Sequence, residues 1–166
     1  MEMTNPTWTY QGRIFNDISD FPTSTHGFIY EVFHKPSGLK YLGKKVLFFE
    51  RNKKLGKKAL EALKEERKAK GIGGRTPLKQ KVITESDWKD YYGSHPKIKQ
   101  LVKDSKDLRK DFERKILDIV PNKKLLTYYE CKHLFINDVL ETYSHQYIND
   151  NILGKFYRKD FHHAKD

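Results

Sequence analysis

Two aromatic triplets stand ten residues apart early in the chain, Phe28-Ile29-Tyr30 and Tyr41-Leu42-Gly43. Arg51 follows eight residues past Gly43. Far downstream come Glu130, on a stretch with helical periodicity, and an asparagine-containing segment from Tyr147 to Asn151. A phenol has an ordinary pKa near 10 and acts as a base only beside a cation. Lys44 and Lys45 are placed to supply that charge, or to relay a proton themselves. A guanidinium is a permanently charged planar fork for paired oxyanion oxygens. A single carboxylate suffices for a hard divalent cation that keeps most of its waters. Phenols, guanidinium and carboxylate together suit work on a charged ester.

Other chemistries lack their residues. Gly71-Ile72-Gly73-Gly74 has neither the following Lys-Ser/Thr nor the preceding strand of a phosphate-cradling loop. The seven histidines are scattered, only His162 and His163 adjoin, and none has the helical spacing of a zinc protease. No serine sits in a nucleophile-elbow context. One cysteine, Cys131, excludes an internal disulfide framework and a multi-cysteine zinc site; it reads as a small buried side chain.

Charge narrows the partner. The 166 residues carry a formal net charge of +11, and the excess is local. Lys44 to Lys81 holds 14 basic residues against 4 acidic, whereas the rest of the chain is close to balance. A concentrated basic field points to a polyanion, most commonly nucleic acid. No apolar run approaches the roughly 18 residues of a membrane span, and Met1 to Phe15 lacks the layout of a secretion signal, so a cytoplasmic protein without membrane attachment is expected.

The elements that must position these residues read as a small α/β domain of the α+β type. Residues 1–26 form an aromatic-rich ordered arm packing on the domain. Gly27 to Lys45 is a hairpin turning at Pro36-Ser37-Gly38. Val46 to Glu50 is an apolar link, and Asn52 to Lys70 is helical, most clearly from Lys57, so that a basic helical insert covers about 52–81. A helix starts at Pro96 and a third strand spans Phe112 to Val120. Asn122 caps a helix running to about Leu140, and the chain from Tyr147 is irregular. The expected architecture is a three-stranded antiparallel sheet flanked by helices, with a main domain over 27–154 and a tail over 155–166.

The ordered set of triplets, Arg51, Glu130 and the Asn149 region resembles the GIY-YIG nuclease family. The layout from Trp8-Tyr10 through Glu85-Ser86-Asp87-Trp88 and Tyr91-Tyr92-Gly93-Ser94 to Asn151-Ile152-Leu153-Gly154 looks like its small phage-encoded members. The sequence departs from the family pattern at Phe28, where glycine is common, at Leu42, and at Lys44-Lys45, where a small polar residue is common. The resemblance implies a DNA endonuclease leaving 5′-phosphate and 3′-hydroxyl ends. Tyr30 or Tyr41 would position or deprotonate the water, Arg51 would hold the phosphate, and Glu130 would bind one Mg²⁺ or Mn²⁺. Asn149, or else Asn151, would hold the site or the backbone. Arg67 and Arg75 are outside alternatives to Arg51.

Without a recognisable separate DNA-binding module, the basic segment is the expected clamp. Lys53, Lys54, Lys57, Lys58, Arg67, Arg75, Lys79 and Lys81 would contact phosphates, giving steep salt dependence and weak intrinsic specificity. Dimerisation is an option for double-strand cutting. The alternatives are a non-catalytic nucleic-acid-binding protein on the same scaffold and a basic RNA-binding factor, neither of which needs a carboxylate in a phosphate groove.

Overall fold

Apolar and aromatic residues fill both faces of Gly27–His34, which marks it as a strand covered on two sides. In a computed structural model that describes residues 4–141 and 146–161, the elements run in this order. Strands β1 (Trp8–Tyr10), β2 (Arg13–Phe15), β3 (Gly27–His34), β4 (Leu39–Val46) and β5 (Phe48–Lys54) precede helix α1 (Lys57–Ala69). Next come β6 (Lys79–Glu85), α2 (Pro96–Asp104), α3 (Leu108–Asp111), β7 (Phe112–Val120) and α4 (Lys123–Ile136). The last are the short β8 (Asn151–Ile152), β9 (Phe156–Tyr157) and α5 (Arg158–Phe161). His162 and His163 lie outside the described residues. No helix among the described residues is long and apolar enough to cross a membrane.

The chain divides into two compact units, one of Met1–Leu47 with Asp87–Asp166 and one of Phe48–Ser86. The first is built on a five-stranded sheet of order β2-β1-β7-β3-β4, in which only the β1–β7 pair is parallel. The sheet is therefore larger than the expected three strands. Residues 1–26 contribute both extra strands, with Trp8 opposite Arg114 and Phe15.

One face of the sheet carries an aromatic layer. Trp8, Phe15, Phe21, Phe28, Tyr30 and Trp88 meet edge to face or stacked at centroid separations of 5.0 to 6.3 Å. Such pairs add to the hydrophobic gain of burial. The other face is covered by α4, whose Leu126 packs on Ile29 and Val120 and whose Leu134 packs on Leu42.

Helix α4 starts as expected, with the Asn122 carboxamide oxygen accepting from Leu125 N at 2.9 Å. It ends at Ile136, four residues before the expected Leu140. Asp138 adopts a left-handed conformation (φ 49°), Val139 N bonds back to Leu134 O, and Asp138 N bonds to Phe135 O. This is a Schellman stop built on aspartate in place of glycine, and the missing glycine hid it.

Arg114 ties the N-terminal segment to the loop ahead of α2. Its buried guanidinium donates to the carbonyls of Pro6, Lys89 and Tyr91 and lies between the rings of Trp8 and Tyr92. Burial pushes its pKa down to about 10, still charged at neutral pH. Arg114→Met leaves the Pro6, Lys89 and Tyr91 carbonyls without this donor and should lower stability by about 3 kcal/mol. Urea unfolding measures this, and an unchanged midpoint would contradict it.

The second unit departs most from expectation. The segment read as a link and the start of a helix is strand β5, and β6 was not foreseen. The insert is strand–helix–strand, with β5 and β6 paired antiparallel from Phe48↔Glu85 to Lys54↔Lys79. No residue of α1 is buried.

Candidate active site

The two triplets lie side by side on β3 and β4, and the register explains their glycine. Tyr30 faces Gly43 directly, while Tyr41 faces Val32. All four point to the aromatic face of the sheet, because side chains alternate along a strand. A Cβ on Gly43 would stand 2.4 Å from the Tyr30 hydroxyl and 2.7 Å from its Cζ. Glycine is thus the seat on which the Tyr30 phenol lies. Tyr41 has a seat of its own. A Cβ on Gly93, at φ +145°, would meet the Tyr41 ring at 2.8 Å.

The phenols form one group. The Tyr30 ring centroid is 6.2 Å from that of Tyr41 and 5.9 Å from that of Tyr91. Tyr30 is fully buried. Burial pushes its pKa well above the ordinary phenol value, and the neighbouring Tyr91 and Tyr41, a hydrogen bond with Tyr91 and the charge of Glu130 push the same way. Burial also raises the pKa of Tyr41, against the opposing effect of its 3.5 Å contact with Ser94 Oγ. Both phenols are therefore proton donors at neutral pH.

The lysines are engaged elsewhere. Lys45 is buried, its Nζ 2.5 Å from Asp87 Oδ1 and 3.9 Å from the Tyr91 ring centroid. Lys44, one residue earlier, points to the α4 face. Its Nζ donates to Thr127 Oγ1 at 3.1 Å and lies 3.9 Å from Glu130 Oε1.

Glu130 projects from α4 and pairs with this strand lysine rather than with Lys123, Lys124 or Lys132. Its side chain is only 20% exposed. Burial raises its pKa, and Lys44 offsets part of the rise. Its charge is felt at both Tyr30 and Tyr41. Among the described residues no three His, Cys, Asp or Glu side chains converge as a metal cage. A single desolvated carboxylate still fits a hard ion that keeps several waters. The neighbouring Cys131 is half-buried rather than buried, and burial together with Glu130 pushes its thiol pKa up, the reverse of an activated nucleophile.

Asn149 works on the backbone of the second triplet. Its Oδ1 accepts from Leu42 N at 3.1 Å and its Nδ2 donates to Leu42 O at 2.7 Å, so the carboxamide copies a peptide group on the outer edge of β4. Just before it, Lys40 N bonds to Gln146 O and Ile148 N to Lys40 O. Asn151 instead accepts from Gly154 N in an exposed turn.

Three further residues surround the phenols. His95 caps α2, its Nδ1 accepting from Lys97 N at 3.0 Å, which leaves Nε2 to donate to Asp150 Oδ2 at 2.5 Å. The His95 ring lies 6.2 Å from that of Tyr41, and Asp150 contributes to the raised Tyr41 pKa. Tyr91 completes the set. Sequence reasoning passed over His95 because it counted histidines by their spacing to one another. The usable signal was local: a histidine directly before Pro96, where a cap belongs.

Arg51 occupies β5 of the second unit, opposite Val82, and is exposed. Lys53 and Lys54 share that strand, Lys57, Lys58 and Arg67 lie on α1, Arg75 in the connection, and Lys79 and Lys81 on β6. Lys81 pairs with Glu50 at 3.1 Å, and Arg67 donates to Gly73 O.

Searches of curated proteins and of solved structures returned no significant match. A family model described as "Putative endonuclease segE, GIY-YIG domain" matches residues 8–152, spanning both triplets, Glu130 and Asn149. The chain belongs to the GIY-YIG nuclease family, in its SegE-like group.

Proposed function

We propose that the chain is a divalent-metal-dependent DNA endonuclease, encoded by a phage or another mobile element, that hydrolyses one phosphodiester at the Tyr30–Tyr41–Glu130 cluster. What supports this reading is the partly buried Glu130 carboxylate, paired at 3.9 Å with Lys44 of β4, the strand that also carries Tyr41; its charge helps to raise the pKa of both phenols. A pure binder gains nothing from a desolvated carboxylate, because it repels phosphate unless a cation screens it.

In this reading Tyr30 and Tyr41 act as hydrogen-bond donors that orient the attacking water and one phosphate oxygen. Their raised pKa values favour donation over base catalysis. Water attacks phosphorus, the bond to the 3′ oxygen breaks, and a 5′-phosphate and a 3′-hydroxyl result. The proton released by the water has two candidate recipients, solvent and the Asp150 carboxylate that holds His95 beside Tyr41. Lys45 fixes Tyr91 in place, and Asn149 holds β4 in register. Glu130 would hold Mg²⁺ or Mn²⁺, which when bound supplies positive charge for the leaving oxygen. Arg51 would fork the oxygens of a phosphate, and the other basic residues of the second unit would contact phosphates of the same DNA.

Supercoiled plasmid with the purified chain tests this. Relaxation with Mg²⁺ or Mn²⁺, abolished by EDTA and by Tyr41→Phe with DNA binding retained, is the expected result. DNA binding without cleavage under any divalent metal would favour a non-catalytic binder, and tighter binding to structured RNA would favour an RNA-binding factor.

A further inference from the structure

The proposed chemistry gives the cations of the second unit phosphates to hold and leaves its uncharged side chains without a task, and its two-stranded ribbon has an unusual surface. Strands β5 and β6 are seven residues each, in unbroken register, and every side chain on them is exposed except those of Phe48 and Val82, which are half-buried. A two-stranded ribbon alone is marginal in water, and α1 flanks this one, Ala59, Ala62 and Leu63 bordering a groove with Lys79, Gln80 and Lys81. Its two faces differ. Phe49, Arg51, Lys53, Gln80, Val82 and Thr84 share one, which carries no carboxylate. The other carries Glu50 and Glu85, and there Glu50 already neutralises Lys81. The unit as a whole holds 12 basic against 5 acidic residues.

We infer that the Arg51–Lys53–Gln80 face of this ribbon enters the major groove of duplex DNA and reads base edges, with Lys53 and Gln80 as the specificity-determining pair. The choice of DNA as ligand rests on the endonuclease reading; the rest follows from shape and charge. The B-form major groove is about 12 Å wide and admits a two-stranded ribbon, whose strands lie about 4.8 Å apart. Lys53 and Gln80 are direct cross-strand partners. Their Cβ atoms are then about 5 Å apart, against a base-pair rise of about 3.4 Å, so the two side chains address neighbouring base pairs. A carboxamide pairs with the N6 and N7 of adenine, and an ammonium with the O6 and N7 of guanine. The methyl groups of Val82 and Thr84 suit that of thymine. Arg51 lies on the same face and keeps its phosphate, whereas Lys53 moves from the phosphate contacts given above to a base edge. The deep, narrow groove of A-form RNA does not admit such a ribbon. This reading replaces the weak specificity expected from a phosphate clamp alone.

Selection from a random duplex pool in EDTA, with the full chain and sequencing of the bound fraction, tests the inference without cleavage. Wild type should enrich a short motif. Gln80→Ala should reduce discrimination by about tenfold at one or two adjacent positions, and Lys53→Ala should do so at the neighbouring position. Asn52→Ala, on the opposite face, should leave the motif intact. Enrichment of no motif, a motif unchanged in both Gln80→Ala and Lys53→Ala, or equal competition by double-stranded RNA would each overturn the inference. A motif without plasmid cleavage would sink the nuclease reading and keep this one; cleavage without a motif would do the reverse.

Discussion

Plasmid nicking by a Glu130→Gln variant should fall by about a thousandfold, while the same variant unfolds at a higher temperature than wild type in EDTA at neutral pH. The two effects have one cause. The carboxylate is mostly withdrawn from water, and burial raises its pKa more than Lys44, at 3.9 Å, lowers it. A glutamate whose pKa is higher in the folded than in the unfolded chain costs stability once it ionises. That cost is absent below the unfolded value and develops as pH rises from near 4.5 through the folded value. Glutamine removes the charge and keeps the shape, so a gain on the order of 1 kcal/mol is expected above that window. The half-exposed Lys44 keeps its bond to Thr127 and loses little. Wild-type nicking should in turn fail on the acid side at a pH above that of an ordinary glutamate, because the protonated acid cannot hold a cation. Thermal melts in EDTA and a nicking rate–pH profile measure the pair. A variant that is inactive and also less stable would show that Glu130 is a structural ion-pair partner and would remove it from the site.

Legibility from sequence followed how local each signal was. The hairpin, the strand at Phe112–Val120, the Asn122 cap and the Pro96 helix start each rest on a few adjacent residues, and each appears in the fold. The ribbon was missed because Phe48–Lys54 and Lys79–Glu85 become strands only by pairing with each other across a helix, and lysines there carry no apolar alternation. High helix propensity in Lys57–Ala69 then spread over its neighbours. The arm strands were read as an arm because their sheet partner, β7, lies about a hundred residues downstream.

The site was legible as a set of residue types, while its electrostatics were not. Spacing gave no sign that Lys45 turns to Asp87 and Tyr91, or that Lys44 and Tyr41 face opposite sides of the sheet. The first fact needs a loop contact and the second needs the exact strand register. Asn149 likewise declares its task only once Leu42 is seen to lack a strand partner on its outer edge, where the carboxamide supplies one.

The register at Gly43 yields the other large effect. Gly43→Ala should lower nicking by about a hundredfold and cost about 2 kcal/mol of stability, although no catalytic group is removed. The new methyl would overlap the Tyr30 hydroxyl and Cζ, and the ring has nowhere to retreat, being enclosed by Trp8, Phe28, Tyr41 and Tyr91. Since the clash is with one side chain, a second substitution isolates it. Tyr30→Leu alone opens a cavity and destabilises, but in the Gly43→Ala background it should recover most of the alanine penalty, giving a coupling on the order of 1–2 kcal/mol. Nicking should stay low in the double variant, because the phenol is gone. Additive stability losses in this cycle would mean that Gly43 is kept for its backbone and not as the seat of Tyr30. Full activity of Gly43→Ala would show that the position of the Tyr30 hydroxyl does not matter to the reaction.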